Sequence, residues 1–211
     1  STTRAPRQHQ PGEPGEEMWV WLRLKLLADV GLVGLPNAGK STFINAVTNA
    51  KAKVGDYAFT TTRPQLGVVR HKNREFVIAD IPGLIEGAAE GAGIGDRFLG
   101  HIERCQVLLH LVDAHGDDPA AAYRTVRDEL EAYGAGLTDK IEVIALNKAD
   151  LLDAELTEAL SAELAEESGA AVLPLSGATG QGIEAVLDRL IAAIEPSGPD
   201  INDDDGEERV E

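Results

Sequence analysis

One octapeptide constrains this chain more than any other stretch. Gly34-Leu35-Pro36-Asn37-Ala38-Gly39-Lys40-Ser41 has the spacing G-x4-G-K-S; it follows the apolar run 29–34 (DVGLVG) and opens a helix-compatible segment, 39–49. Glycines let a backbone wrap closely around an anion. The loop amides and the first turn of the following helix then direct partial positive charge at phosphate. In such a loop the Lys40 ammonium reaches the β- and γ-phosphates and the Ser41 hydroxyl takes Mg2+. All eight residues, Gly34, Leu35, Pro36, Asn37, Ala38, Gly39, Lys40 and Ser41, are therefore expected to hold a nucleoside triphosphate.

The rest of the chain repeats the strand-then-helix order that this loop needs. Apolar runs at 29–34, 66–71, 75–81, 106–112, 141–146 and 171–175 read as strands covered on both faces. Segments 39–49, 96–104, 119–133, 155–168 and 181–194 read as helices; Asp118-Pro119 is a helix start, and Leu156, Leu160 and Leu164 form one apolar stripe. The pattern predicts a three-layer α/β domain with a six-stranded, mostly parallel sheet. One strand is antiparallel, because 66–81 turns back at His71-Lys72-Asn73-Arg74. A hydrophobic fraction of 43 % over 211 residues is enough for its core.

Charge and composition divide the chain into three. Residues 1–26 hold four bases and three acids, with a polar, Pro-containing start and an alternating segment 19–26 (WVWLRLKL) that reads as a half-buried strand. Residues 197–211 hold seven acids and one base and read as an acidic disordered tail. The domain between them, 27–196, is left at net −12 of the chain's −17. That balance opposes a grip on DNA, on RNA or on an anionic membrane by this chain alone. Cys105 is the single cysteine, so an intrachain disulfide is impossible and a reducing, cytoplasmic setting is expected. No apolar run approaches the roughly 20 residues of a membrane span. The chain starts at Ser1 rather than Met, which suggests a fragment of a longer protein.

Further motifs follow the octapeptide in order. Phe59-Thr60-Thr61-Thr62 offers a threonine to Mg2+ and the γ-phosphate. Asp80-Ile81-Pro82-Gly83 offers a carboxylate to Mg2+, through water, and the Gly83 amide to the γ-phosphate. Asn147-Lys148-Ala149-Asp150 is suited to reading a base. The Asp150 carboxylate can accept from guanine's ring N–H and its exocyclic amine, whereas adenine would leave it unpaired. A mismatch of that kind costs on the order of 10⁴-fold. The Lys148 stem can lie over the base, and Asn147 can tie this loop to the phosphate loop. In Ser176-Gly177-Ala178 the Ala178 amide suits guanine O6.

Five motifs in this order resemble the Ras-like superfamily of P-loop GTP-binding domains. A closer resemblance, to the Obg family, rests on the octapeptide, on Tyr57-Ala58-Phe59-Thr60-Thr61, on Asp80-Ile81-Pro82-Gly83-Leu84-Ile85-Glu86-Gly87-Ala88 through Gly95, and on Arg97-Phe98-Leu99 to Glu103-Arg104-Cys105. Arg4-Ala5-Pro6-Arg7-Gln8 resembles the end of that family's glycine-rich N-terminal domain, so 1–26 is expected to be a linker and remnant strand of it. The resemblance implies an Mg2+-dependent GTPase acting in large ribosomal subunit maturation and in stress signalling through guanosine tetraphosphate. It implies GTP and GDP as ligands, the 50S subunit as partner of the full-length protein, and a monomer without membrane or direct DNA contact. Carried over, Ser41, Thr61 and Asp80 are the metal ligands, Phe59, Thr60, Thr61, Thr62 and Arg63 form the first switch contact, and Lys40, Thr61, Gly83 and Asn37 serve catalysis.

Some residues depart from that pattern or stay open. The family usually has Pro at 58 and apolar residues at 62 and 63, where this chain has Ala58, Thr62 and Arg63. Leu84 occupies the position where many GTPases carry a water-orienting Gln. Asn37 resembles the Asn of potassium-activated GTPases, and a turn residue after Pro36 is the equal alternative. Glu86 and Glu90 read as solvated loop carboxylates, Cys105 and His110 as core residues. Leu84 also leaves open a second function, a module that senses GDP, GTP or guanosine tetraphosphate with negligible turnover. A P-loop kinase or ATPase is opposed by Asp150.

Overall fold

The computed structural model describes residue 15 and residues 28–48, 53–54, 65–80, 105–134 and 136–194. The expected strand at 19–26, the helix at 96–104 and the tail at 197–211 lie outside the described residues.

Among these, strand β1 (Ala28–Val33) leads through the phosphate loop into helix α1 (Lys40–Val47). Strands β2 (Lys53–Val54), β3 (Gln65–His71) and β4 (Arg74–Asp80) follow, then β5 (Cys105–Asp113), α2 (Pro119–Tyr133), β6 (Ile141–Asn147), α3 (Ala154–Ser168), β7 (Val172–Pro174) and α4 (Ile183–Ala193). The sheet order is β2-β3-β4-β1-β5-β6-β7. It contains the six expected strands plus the two-residue β2. Strand β1 is parallel to both β4 and β5, and β6 and β7 continue the parallel run. Only β3 opposes its neighbours. Its hairpin to β4 closes through Lys72 and Asn73, both at positive φ (44° and 62°), the two-residue turn that matches strand twist.

Apolar residues on both faces of the central strands explain the layering. In β5, Val107, Leu109 and Leu111 join the cluster under α1 and α4 with Phe43, Ile44, Val186 and Leu190. The alternate residues face the other way: Leu108 meets Val126 and Leu130 of α2, and Val112 meets Tyr123 and Leu164. Cys105 lies in this second layer, where burial pushes its thiol up to about 12. His110 is also buried, with Nδ1 2.7 Å from Glu142 Oε1 and its ring stacked on Tyr123. The Tyr123 phenol also reaches Glu142, at 3.3 Å; burial first and Glu142 second push it up to about 12.

From β1 the chain proceeds to β4 on one side, then crosses to β5 on the other. The crevice outside the carboxyl end of β1 is thus the point where strand order reverses, the position at which open parallel sheets hold ligands. The phosphate loop leaves β1 there.

Candidate functional site

The phosphate loop needs glycine at its two ends. Gly34 has φ 146°, and a Cβ there would sit 2.3 Å from the Leu111 carbonyl oxygen; Gly39 has φ 95°, and a Cβ there would sit 2.2 Å from Asn147 Nδ2. Between them Asn37 is exposed and left-handed at φ 66°, a turn conformation that asparagine tolerates better than most residues. Lys40 folds back over the loop and donates from Nζ to the carbonyls of Gly34 (2.8 Å) and Leu35 (3.0 Å). Helices α2 and α3 are capped by aspartates: Asp118 accepts from the Ala121 amide and Asp153 from the Leu156 amide. Helix α1 starts at Gly39 with no side-chain cap. A helix start of this kind, at the end of a glycine-bounded loop, is suited to an anion.

At the end of β4, Asp80 meets α1. Ser41 Oγ donates to Asp80 Oδ2 at 2.8 Å. Asp80 is 5 % exposed, and its Oδ1 is buried with no hydrogen-bond partner among the described residues. A buried, unpartnered carboxylate oxygen beside a hydroxyl is a donor set for a hard cation that prefers oxygen ligands, so these residues fit Mg2+.

The two loops expected to read the base are fixed to the phosphate loop by one side chain. Asn147, 2 % exposed, donates from Nδ2 to the Ala38 carbonyl (2.7 Å) and accepts at Oδ1 from the Gly177 amide (3.0 Å). The expected tie to the phosphate loop thus carries a second bond, to the loop after β7. The Ala149 amide donates to the Leu175 carbonyl (3.0 Å) and locks the same two loops along the backbone. Ser176 is fully buried and its Oγ accepts from the Thr179 amide, which folds the turn containing Gly177 and the exposed Ala178. Gly177 lies against the backbone of Phe43 in α1. Asp150 is exposed beside this cluster.

Lys148 has a left-handed backbone (φ 66°), and its Nζ donates to Asp113 Oδ2 at 2.5 Å. Sequence reading missed Asp113 because it ended the strand at 112. The observed strand runs one residue further, and Asp113 pairs in register with Asn147.

The structure thus brings together Gly34 to Ser41, Asp80, Asn147 to Asp150 and Ser176 to Ala178. Phe59, Thr60, Thr61, Thr62, Arg63, Ile81, Pro82 and Gly83 lie outside the described residues, as do Leu84, Glu86 and Glu90. A separate cavity of about 400 Å3 opens beside Leu35 and Pro36, lined by His110, Asp113 and the start of α2. Its lining includes none of Lys40, Ser41, Asp80 and Asp150.

With that geometry in place, the comparison with known proteins decides the family. The family described as 50S ribosome-binding GTPase matches residues 29–148. Proteins named GTPase Obg are 76 % identical in Sphingopyxis alaskensis, over 97 % of this chain and 60 % of that protein, and 70 % identical in Rhizorhabdus wittichii, over 93 % and 57 %. The chain belongs to the Obg family of GTPases. It spans about three fifths of the length of these relatives. Among solved structures, a mutant S. thermophilus NFeoB bound to GDP superposes with TM-score 0.63 at 22 % identity, covering 80 % of this chain and 63 % of that one. The G domain of the T. maritima FeoB iron transporter gives 0.60 at 22 %, covering 79 % and 98 %. At that identity the likeness establishes the P-loop GTPase fold. No helix among the described residues is long and apolar enough to cross a membrane.

Proposed function

We propose that residues 27–196 bind GTP and hydrolyse it to GDP and phosphate, as an Mg2+-dependent switch. The observation that carries this reading is the Asn147 clasp. One buried amide bonds the phosphate loop and the Ser176-Gly177-Ala178 loop, so phosphate recognition and base recognition share one rigid frame. Lys40 and the uncapped start of α1 neutralise the phosphates. Ser41 and Asp80 hold Mg2+, which when bound offsets phosphate charge and orients the terminal phosphoryl group. Thr61 and Gly83 are assigned to Mg2+ and to the γ-phosphate on the family resemblance. Asp150, exposed beside the clasp, accepts the guanine N–H groups, and the Ala178 amide faces O6.

Asp150→Asn tests the base assignment. An amide cannot accept both guanine hydrogen bonds but can donate to xanthine. GDP affinity should fall by about 10³-fold or more while xanthosine diphosphate binding rises. Unchanged GDP affinity, measured by titration calorimetry, would contradict the assignment.

K+ is assigned to Asn37 on the resemblance. Phosphate release should be faster in KCl than in NaCl at equal ionic strength, and Asn37→Ala should remove the difference. Equal rates leave Asn37 as the turn residue that its backbone makes it. Guanosine tetraphosphate as a second ligand, the large ribosomal subunit as partner of the full-length protein, and a cytoplasmic setting are proposed on the same family ground.

A further inference from the structure

We infer that Asp113 is a positioning residue for guanine recognition, acting through Lys148; the inference rests on the reading of Lys148 and Asp150 as base contacts. Strand β5 ends at Asp113, in register with Asn147 on β6, and the ladder continues through the Ala114 amide, which donates to the Asn147 carbonyl at 2.8 Å. The carboxylate is held from both sides. Oδ1 accepts from the His115 amide at 2.9 Å, and the Gly116 amide closes the same turn on the Asp113 carbonyl at 3.2 Å. Oδ2 is left to take the Lys148 ammonium. Side-chain exposures of 32 % for Lys148 and 25 % for Asp113 make this a half-buried pair, less screened than a surface one.

Two consequences follow for the base. A lysine stem otherwise samples many rotamers and must be ordered each time a purine slides beneath it. Fixing its ammonium at the strand end pre-orders the stem. The same pairing also keeps that ammonium occupied. Asp150 stands two residues beyond Lys148, exposed and with neither a hydrogen bond nor an ion pair among the described residues. A released Lys148 would have Asp150 as a neighbouring anion, and a carboxylate paired with lysine no longer accepts freely from guanine. Asp113 thus keeps Lys148 extended and Asp150 available.

The test is a double-mutant cycle on GDP affinity, with Asp113→Asn and Lys148→Ala singly and together. Asparagine keeps an acceptor for the His115 amide, so the turn is retained while the charge is lost. Thermal melting without nucleotide checks the fold, and Asp113→Glu restores the charge. Asp113→Asn is expected to raise the Kd for GDP roughly fivefold, to have no further effect when Lys148 is already alanine, and to be partly rescued by Asp113→Glu. A Kd equal to the parent's, or the same fold loss in both backgrounds, overturns the role. If Lys148→Ala itself leaves GDP binding intact, the base contact of Lys148 fails and this role fails with it, whereas the Asp150→Asn swap reports independently on Asp150.

Discussion

Asn147 is a buried polar side chain whose donor and acceptor both find backbone partners. Its neighbours are shaped to it: Gly39 cannot carry a Cβ because the Asn147 amide occupies that space. Asn147→Ala would leave the Ala38 carbonyl and the Gly177 amide without these bonds. An unsatisfied buried group costs about 1–3 kcal/mol, so stability should fall by roughly 2–4 kcal/mol in urea unfolding. GDP affinity should fall at least tenfold, because the phosphate loop and the base loop lose their common brace. A variant that binds GDP like the parent would show that Asn147 does not brace the site. The tie from Asn147 to the phosphate loop and the place of Asp80 at a strand end were legible in sequence because both are local: a side-chain type at the end of an apolar run, in a fixed order after the phosphate loop. The pairing of Asp113 with Lys148 was not, since it depends on how far β5 extends and on which strand lies beside it. His110 shows the same limit. Its burial was readable from an apolar run, but its partner Glu142 comes from the neighbouring strand.

At the scale of elements, hydrophobic runs located the central strands, and Asp118-Pro119 gave the start of α2 to the residue. The runs could not reveal β2, whose two residues contain no pattern. Helix α2 also carries a group whose energetics run against the fold. Glu129 is half-buried, its Oε2 is buried with no partner among the described residues, and burial raises its carboxyl above the ordinary 4.5. The folded state therefore binds this proton more tightly than the unfolded chain does. Stability is unaffected by the group below about 4.5 and is lost as pH rises through the raised folded value. Glu129→Gln should accordingly stabilise the protein at pH 7, with a gain that shrinks toward pH 4. Urea midpoints at the two pH values check this, and an equal gain at both would show that charge burial is not the cause.

For the whole molecule, the parallel strands bring the phosphate loop, Asp80 and the loops after β6 and β7 to the carboxyl end of the sheet, where the strand order reverses about β1. With 27–196 at net −12, the proposed hold on a polyanion rests on the phosphate loop and the start of α1 in place of a broad basic surface. The proposed function is that this crevice binds and turns over GTP. Its most direct test is single-turnover phosphate release from GTP with Mg2+, followed with and without a large excess of ATP. One phosphate per bound GTP is expected, at a rate that ATP leaves unchanged and that Ser41→Ala and Lys40→Ala depress at least tenfold. Bound GTP without phosphate release would make the domain a sensor rather than a hydrolase, and competition by ATP would contradict the guanine-reading site itself.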